Sequence, residues 1–282
     1  MAIRIDGKAV AAIVRAAAAE RAAQLRARGV EPHLAVILAG ENPASAVYVR
    51  NKERACCEAG IRSTVVRLPE DVSQTVLETE IARLNGDETV HGILVQLPLP
   101  KGLDEKRALA LIDPAKDVDG FHTVNTGNLW KGEPGFVPCT PHGVMELLKA
   151  YDIDPRGRRA VIVGRSDIVG KPMAALLLRA DATVTVCHSK TRNLKEICRE
   201  AEILVAAVGK PRMITWDMIR PGAAVIDVGI NRVDGKLMGD VDFEGAEKVA
   251  GWITPVPGGV GPMTISMLLQ NAVQAAERAC PS

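Results

Sequence analysis

Aromatic residues are scarce in this sequence of 282 residues, where they make up only 3%. Proteins that bind single-stranded nucleic acid stack bases on aromatic side chains, so a surface of that kind is not expected. An excess of one charge is also missing, because 35 basic residues face 34 acidic ones. This balance gives no electrostatic reason to expect nucleic acid or an anionic membrane as a partner. Apolar residues, at 47%, predict a globular chain whose core is built from Val, Ile, Leu and Ala.

Cysteines at the spacing of a metal site or a redox motif are missing as well. None of the six cysteines forms a C-x-x-C motif, and no Cys/His cluster has the spacing of metal ligands, so no metal site is expected. The first residues lack the apolar block of a signal peptide. The uncharged stretch 249–276 contains Pro255, Pro257 and Pro262, which exclude a single membrane-spanning helix. We therefore expect a soluble, cytoplasmic protein whose thiols are small buried hydrophobes in a reducing compartment.

Short β-branched runs alternate with helical patterns along the chain, which is typical of βαβ units and parallel sheets. The predicted strands cover residues 33–40, 63–68, 92–97, 159–164, 183–187, 203–208 and 224–230. The predicted helices include residues 7–28, 45–59, 73–84, 104–112, 141–150 and 264–279. The section 113–141 is rich in Gly and Pro and is expected to be too irregular for the core. The sequence thus predicts two α/β domains, 1–139 with 264–282 packed back on it, and 140–263.

The second half contains a candidate dinucleotide turn. Residues 161–172 follow a strand–turn–helix pattern with the motif G-x-S-x-x-x-G, in which Ser166 stands where a Rossmann turn has its second glycine. An ordinary βα turn fits the motif equally well when it is taken alone. An NAD-binding unit carries an acid at the end of its second strand, but here residues 188–192 offer hydroxyls and cations. With Arg165 these residues favour the 2′-phosphate of NADP, and a solvated basic loop is the alternative.

The first half places polar side chains at ligand-binding positions of an α/β fold. Tyr48 and Lys52 share a helix face at spacing i, i+4. Gln96 interrupts an apolar strand end and, if buried, needs a partner that a lysine amine could provide. Asp117 and Asp119 lie in a glycine-bearing loop. Each feature also has a purely structural explanation, as surface decoration for the Tyr/Lys pair and as turn chemistry for the aspartates.

Eight motifs in one order nevertheless make the chain resemble the bifunctional methylenetetrahydrofolate dehydrogenase/cyclohydrolase family of one-carbon metabolism. The motifs are Tyr48-Val-Arg-Asn-Lys52, Val95-Gln-Leu-Pro-Leu-Pro100, Lys116-Asp-Val-Asp-Gly-Phe-His122, Pro138-Cys-Thr-Pro141, Gly164-Arg-Ser166 with Ile168-Val-Gly-Lys-Pro172, Cys187-His-Ser-Lys-Thr191, Val225-Ile-Asp-Val-Gly-Ile-Asn231 and Pro255-Val-Pro-Gly-Gly-Val-Gly-Pro-Met-Thr264. Asp167 departs from the family, which often has Asn or an apolar residue at that position.

The resemblance implies a fold, two reactions and a set of site residues. The fold would be two α/β domains, the second a Rossmann-type NADP-binding domain, with the active-site cleft between them. NADP⁺ would oxidise 5,10-methylenetetrahydrofolate to the methenyl form, and hydrolysis would then give 10-formyltetrahydrofolate, which serves purine biosynthesis. The expected catalytic residues are Lys52, Gln96, Asp119 and Tyr48. The expected folate-binding residues are Tyr48, Lys52, Val95, Gln96, Leu97, Asp119, Pro257, Gly258, Gly259, Val260 and Gly261. The expected NADP-binding residues are Gly164, Arg165, Ser166, Ser189 and Ile230.

Within this scheme Lys52 is the acid–base group of the hydrolysis, and Gln96 orients its amine. Tyr48 stacks on the folate, and Asp119 accepts the paired donors of the pterin edge. The resemblance also implies a homodimer. Three alternatives stay open: an NADP-dependent dehydrogenase of shikimate or amino-acid type, a non-enzymatic NADP-binding regulator, and a monofunctional relative. Retention of Lys52 argues against loss of the hydrolytic activity.

Overall fold

In the computed structural model the chain is described over residues 1–280, apart from the side chain of Ala44. The strands are β1 (Ile3–Arg4), β2 (His33–Ala39), β3 (Arg62–Leu68), β4 (Gly92–Val95), β5 (Arg159–Val163), β6 (Thr183–Cys187), β7 (Ile203–Ala206), β8 (Ala224–Asp227), β9 (Asn231–Val233), β10 (Lys236–Met238) and β11 (Trp252–Ile253). The helices are α1 (Gly7–Ala27), α2 (Pro43–Glu58), α3 (Gln74–Gly86), α4 (Glu105–Leu111), α5 (Thr123–Lys131), α6 (Cys139–Ala150), α7 (Gly170–Arg179), α8 (Leu194–Arg199), α9 (Phe243–Ala246) and α10 (Val260–Ala279). A short 3-10 helix covers Trp216–Met218.

The chain divides into two compact units. The large-sheet unit comprises Met1–Ala12 and Pro138–Thr264, and the small-sheet unit comprises Ile13–Val137 and the residues from Ile265 onward. The expected first domain began at residue 1, whereas Met1–Ala12 group with the large-sheet unit. The reason is that β1 pairs in parallel with β11, with Ile3 opposite Trp252.

The small-sheet unit contains three parallel strands in the order β3-β2-β4. All seven residues of the central strand β2 are buried, which is typical of a parallel strand covered on both faces. Its core is aliphatic and includes Ile37 from β2, Leu77 and Ile81 from α3, and Ile93 from β4. The carboxyl ends of β2 and β4 therefore lie side by side, and α2 and Gln96 follow directly after them.

The large-sheet unit contains a six-stranded parallel sheet in the order β1-β11-β8-β7-β5-β6. The chain passes from β5 to β6 on one side and then to β7 on the other, so the strand order reverses at β5. Open α/β sheets bind ligands at the carboxyl ends of the strands that flank such a reversal. An antiparallel hairpin formed by β9 and β10 follows β8.

The expectation that residues 113–141 are too irregular for the core is wrong. They contain α5, whose first turn is capped by the His122 ring, since Nδ1 accepts a hydrogen bond from the Val124 N–H at 3.1 Å. Val118 and Phe136 in the same section are fully buried. The helices α6 and α10 also begin earlier than predicted, because Pro141 and Pro262 occupy their first turns, where proline is tolerated.

Two buried histidines lie at the amino ends of the small sheet. His33 begins β2, and its backbone N–H donates a hydrogen bond to Nδ1 of His91, just before β4, at 3.2 Å. That nitrogen can accept the bond only while it carries no proton. Burial lowers the pKa of both imidazoles. A neighbouring positive group lowers each pKa further, Arg62 for His33 and Lys116 for His91. Both shifts favour the neutral form of the pair.

All six cysteines are free thiols, and Cys56, Cys139, Cys187 and Cys198 are buried. Within residues 1–280, no His, Cys, Asp and Glu side chains group in a way that could hold a metal ion. No helix in that range is long and apolar enough to cross a membrane.

Candidate active site

A lysine and a glutamine form the centre of the candidate site in the small-sheet unit. Lys52 lies on α2 with only 9% of its surface exposed. Its Nζ donates a hydrogen bond to Oε1 of Gln96 at 3.0 Å. The Gln96 Nε2 in turn donates to the carbonyl oxygen of Leu97 at 2.8 Å. This second bond fixes the orientation of the amide, so the oxygen faces the lysine amine.

The neighbours of this pair have different environments. Tyr48 lies one helical turn before Lys52 and is 44% exposed, so its ring is available to a ligand. Leu97 is half-buried at the end of the strand. Val95 is only 1% exposed as a whole residue and packs in the hydrophobic core.

The loop that carries Asp119 is built by the residues just before it. Lys116 Nζ donates to the carbonyl oxygens of Leu84, Asn85 and Asp87 at 3.2, 2.8 and 2.8 Å, and so caps the carboxyl end of α3. The buried carboxylate of Asp117 accepts hydrogen bonds inside the loop. Most of this motif thus has a structural role, and its side chains fix the path of the backbone through Asp119.

Two asparagines complete the support of this loop. Asn125 Nδ2 donates to Oδ2 of Asp117 at 2.9 Å. Asn271 on α10 donates from Nδ2 to the carbonyl oxygen of Val118 at 2.8 Å, one residue before Asp119. The sequence predicts a role for neither asparagine. Nothing in the sequence distinguishes Asn271 from Gln270 and Gln274 in the same helix.

Asp119 itself is half-buried and lies close to Lys52. Burial raises the pKa of Asp119 to about 6, the positive charge of Lys52 lowers it, and the negative charge of Asp117 raises it. The carboxylate form at neutral pH is therefore maintained at a cost, which a ligand that donates two hydrogen bonds would relieve. The small-sheet unit thus brings together an amine, an amide oxygen and a carboxylate.

The predicted dinucleotide turn follows β5 in the large-sheet unit. Gly164 has φ +133°, and a Cβ at this position would collide with the carbonyl oxygen of Ala207. The hydroxyl of Ser166 accepts hydrogen bonds from the backbone N–H groups of Val169 and Gly170, at 3.2 and 3.3 Å. The Ser166 side chain therefore binds the backbone of the turn that leads into α7.

Residues 188–192, with their hydroxyls and cations, lie beside this turn. The Gly164 N–H donates to the carbonyl oxygen of Cys187 at 2.9 Å, which ties the turn to the end of β6. Arg165 and Ser189 are both exposed. The carboxylate of Asp167, the departure from the family, forms an ion pair with Lys171. Its negative charge is thereby partly compensated near the turn.

The last predicted segment is the glycine loop before α10. The Gly259 N–H donates to the carbonyl oxygen of Pro255 at 2.8 Å, and the loop packs so closely on Gly7 that a Cβ there would collide with the Gly259 carbonyl. Pro257 is exposed, Gly258 and Gly261 are half-buried, and Val260 is buried. Ile230 is exposed, and its Cδ1 lies 3.6 Å from the position of a Cβ on Gly261. The structure thus brings a predicted cofactor residue next to the predicted folate loop.

These features define an α/β protein that combines a Rossmann-type dinucleotide-binding unit with a second parallel α/β unit bearing a buried Lys–Gln pair. Residues 5–119 match the family model described as tetrahydrofolate dehydrogenase/cyclohydrolase, catalytic domain. Residues 138–280 match the model described as tetrahydrofolate dehydrogenase/cyclohydrolase, NAD(P)-binding domain. The chain belongs to the tetrahydrofolate dehydrogenase/cyclohydrolase family.

Individual relatives agree with this assignment. The bifunctional protein FolD of Moorella thermoacetica is 61% identical over 275 residues, which cover 97% of this chain and 98% of that protein. The solved structure of the bifunctional FolD enzyme from Campylobacter jejuni has a TM-score of 0.98 and 51% identity, covering 99% of this chain and 100% of that one. A methylenetetrahydrofolate dehydrogenase-cyclohydrolase from Trypanosoma brucei, solved with NADP and an inhibitor, has a TM-score of 0.95 and 44% identity, covering 100% of this chain and 99% of that one.

The shikimate dehydrogenase alternative is related at the level of the fold only. The enzyme from Aquifex aeolicus has a TM-score of 0.54 at 14% identity, covering 89% of this chain and 98% of that one.

Proposed function

We propose that this protein oxidises 5,10-methylenetetrahydrofolate with NADP⁺ to 5,10-methenyltetrahydrofolate and hydrolyses that product to 10-formyltetrahydrofolate. The observation that carries the proposal is the partly buried hydrogen bond between Lys52 and Gln96, with the Lys52 charge acting on Asp119, in a chain that matches both domain models of the family. An amine held by one amide oxygen is suited to proton transfer, which the hydrolysis needs and the oxidation does not.

The large-sheet unit fits a dinucleotide at the turn after β5. Gly164 opens this turn and packs against the Ala207 carbonyl, and the backbone N–H groups of a turn between a strand and a helix can bind a phosphate. We assign Gly164 and Ser166 to the pyrophosphate, Arg165 and Ser189 to the 2′-phosphate, and Ile230 to the nicotinamide end. When bound, NADP⁺ supplies the hydride acceptor. The residues of the chain hold and orient the reactants for this step and transfer no proton.

In the hydrolytic step Lys52 moves the protons. The amine accepts a proton from water as the water oxygen bonds to the methenyl carbon. The ammonium then returns a proton to the ring nitrogen as its bond to that carbon breaks, and the hydroxyl proton of the adduct passes to solvent as its oxygen becomes the formyl carbonyl. Gln96 Oε1 keeps Nζ oriented during both transfers.

The remaining residues bind folate in this scheme. Asp119 accepts two hydrogen bonds from the pterin edge, and Tyr48 stacks on the flat part of the substrate. Leu97 and the backbone of Val95 line the strand end, and residues Pro257, Gly258, Gly259, Val260 and Gly261 allow backbone to approach the folate.

Parallel incubations with different cofactors and substrates test the proposal. The purified protein is given methylenetetrahydrofolate with NADP⁺ or with NAD⁺, and NADPH, methenyl and formyl products are followed separately. We expect both products, with faster turnover on NADP⁺. Shikimate and amino acids are offered to the same preparation with NADP⁺, and NADPH formation on one of them without turnover of folate would support the alternative dehydrogenase and refute our proposal.

We also propose that the protein acts as a cytoplasmic homodimer without nucleic-acid partners and provides formyl groups for purine biosynthesis. The family resemblance supports the dimer and the pathway, and the balanced charge supports the absence of nucleic acid. Sedimentation equilibrium tests the dimer, since a monomer at the concentrations used for the assay would contradict it.

A further inference from the structure

Two buried carboxylates lie side by side in the large-sheet unit. Asp227 ends β8 with 3% of its surface exposed, and Asp240, after β10, is fully buried. Burying a carboxylate is expensive unless donors surround it. Gly239 must lack a side chain, because a Cβ there would collide with Oδ2 of Asp227. The fold therefore packs the two carboxylates closely together, which costs folding free energy because both lose their water.

Asp240 accepts four hydrogen bonds from two separate loops. Its Oδ2 receives the backbone N–H groups of Val208 and Gly209, at 2.6 and 2.9 Å. Its Oδ1 receives the backbone N–H of Lys210 and the Nδ2 of Asn231, each at 2.9 Å. The first three donors follow β7, and the fourth follows β8. One carboxylate thus joins the two loops.

Asp227 holds the segment on which Asp240 lies. Its Oδ1 accepts the N–H groups of Gly229 and Asp240, and its Oδ2 accepts that of Val241, all at 2.9 Å. Burial raises the pKa of Asp227 to about 6, the three N–H donors lower it, and the negative charge of Asp240 raises it again. The position of Asp240 relative to β8 is therefore fixed by backbone hydrogen bonds.

Both tied loops border the proposed cofactor residues. The residue before Val208 is Ala207, whose carbonyl lies directly against Gly164 of the dinucleotide turn. The residue before Asn231 is Ile230. The strand order reverses between β5 and β7, which is where open α/β sheets bind ligands. Gly209 and Lys210 are exposed while their N–H groups point inward to Asp240, so the outer side of the loop stays free.

We propose that Asp240 is a positioning residue for the cofactor, which fixes the loop 208–210 and the segment carrying Ile230 in the relative arrangement that NADP⁺ requires. This inference rests on the proposed function, because it uses Gly164 and Ile230 as cofactor residues. Asp240 makes no contact with the reacting groups and acts through the two loops.

The test compares Asp240→Asn with a matched control, Asp181→Asn. An amide group can keep only one of the two acceptor oxygens, so two of the four donors lose their partner. Asp181 lies in the turn before β6, at the opposite end of the same sheet, and its loss removes the same charge. For Asp240→Asn we expect the Kd and KM for NADP⁺ to rise at least about tenfold. The KM for methylenetetrahydrofolate and the cyclohydrolase rate per folded protein should stay unchanged, and Asp181→Asn should match the wild type.

A second variant covers the case in which Asp240→Asn does not fold. Asn231→Ala removes one donor from Asp240 and leaves the carboxylate in place, and we expect the Kd for NADP⁺ to rise about threefold. An unchanged Kd in a folded variant, or an equal loss of both activities, would overturn the positioning role. A wild-type protein that does not bind NADP⁺ would overturn the proposed function as well, so the two failures are distinguishable.

Discussion

A Lys52→Met variant should lose methenyltetrahydrofolate hydrolysis while retaining part of its NADPH formation. Methionine keeps the length and the apolar stem of lysine but removes the amine that contacts Gln96. The oxidation needs alignment of the two reactants, whereas the hydrolysis needs a group that accepts and returns a proton. The methenyl product should therefore accumulate and disappear only by its slow uncatalysed reaction.

Lys52→Met should change both the hydrolysis rate and the unfolding free energy, by different amounts. Removing a positioned acid–base group costs about 10²–10⁴-fold in rate. The structural cost is smaller: the hydrogen bond between Lys52 and Gln96, worth about 1 kcal/mol of unfolding free energy, is lost together with the attraction between Lys52 and the Asp119 carboxylate. The apolar stem stays buried and no cavity opens. A rate loss of this size in a folded variant would therefore come from the chemistry.

The assay follows NADPH and methenyltetrahydrofolate separately in the same purified preparation. Arg54→Met is the matched control, since it removes a positive charge from an exposed position on the same helix. Gln96→Ala should reduce hydrolysis too, because the amine loses the acceptor that orients it. Hydrolysis at the wild-type rate in Lys52→Met would mean that another group transfers the proton, and the proposed mechanism of the second reaction would be wrong.

Three further changes test other parts of the structure. Arg165→Ala should narrow the preference for NADP⁺ over NAD⁺ by roughly 1.5–3 kcal/mol, measured by titration with each cofactor, and a wild type with equal affinities would refute the basis of this expectation. Asp119→Asn should weaken folate binding, leave NADP⁺ binding unchanged and raise the unfolding free energy at neutral pH by at most about 3 kcal/mol, because burial disfavours the charge it removes. A variant with normal folate affinity would show that the carboxylate has been assigned to the wrong ligand. The unfolding free energy of the wild type should fall as the pH drops below about 6.5, because the unfolded chain then binds protons that the His33–His91 pair does not. His91→Gln should lose less unfolding free energy than the wild type between pH 7 and 5 in urea unfolding, and an identical loss would exclude His91 as a cause.

The sequence was informative where apolar periodicity alone determines structure. The strand Thr183–Cys187 was predicted with its observed bounds, and β2 differs by one residue. Prediction failed for α5, because Gly127 and several Thr and Asn residues have low helix propensity and the helix depends on a cap from His122 and on tertiary packing. It also failed for β1, whose two residues form a strand only because β11 lies beside them.

In the candidate site, too, some features are predicted from the sequence and others are not. A polar residue in an apolar strand end was enough to predict that Gln96 needs a partner, and the structure provides the Lys52 amine as that partner. The role of Lys116 in shaping the loop is not predicted from the sequence. For Asp117, turn chemistry is one of two open interpretations, because in sequence it looks the same as Asp119, the residue expected to bind folate. Side chains that bind backbone groups far away in the sequence leave no periodic signal.

Asp240 illustrates why such residues have to be found in the structure. In sequence it is one of several aspartates in a polar segment, and its four donors come from residues up to 32 positions away. Three of the four donors are backbone N–H groups, which every residue type except proline provides, so their identity does not mark the site. Only the joint observation of complete burial, four bonds and two loops at the same sheet edge separates this carboxylate from a surface acid. Residues that position a cofactor without touching it are therefore identified by tracing which buried charge each active-site loop is bonded to.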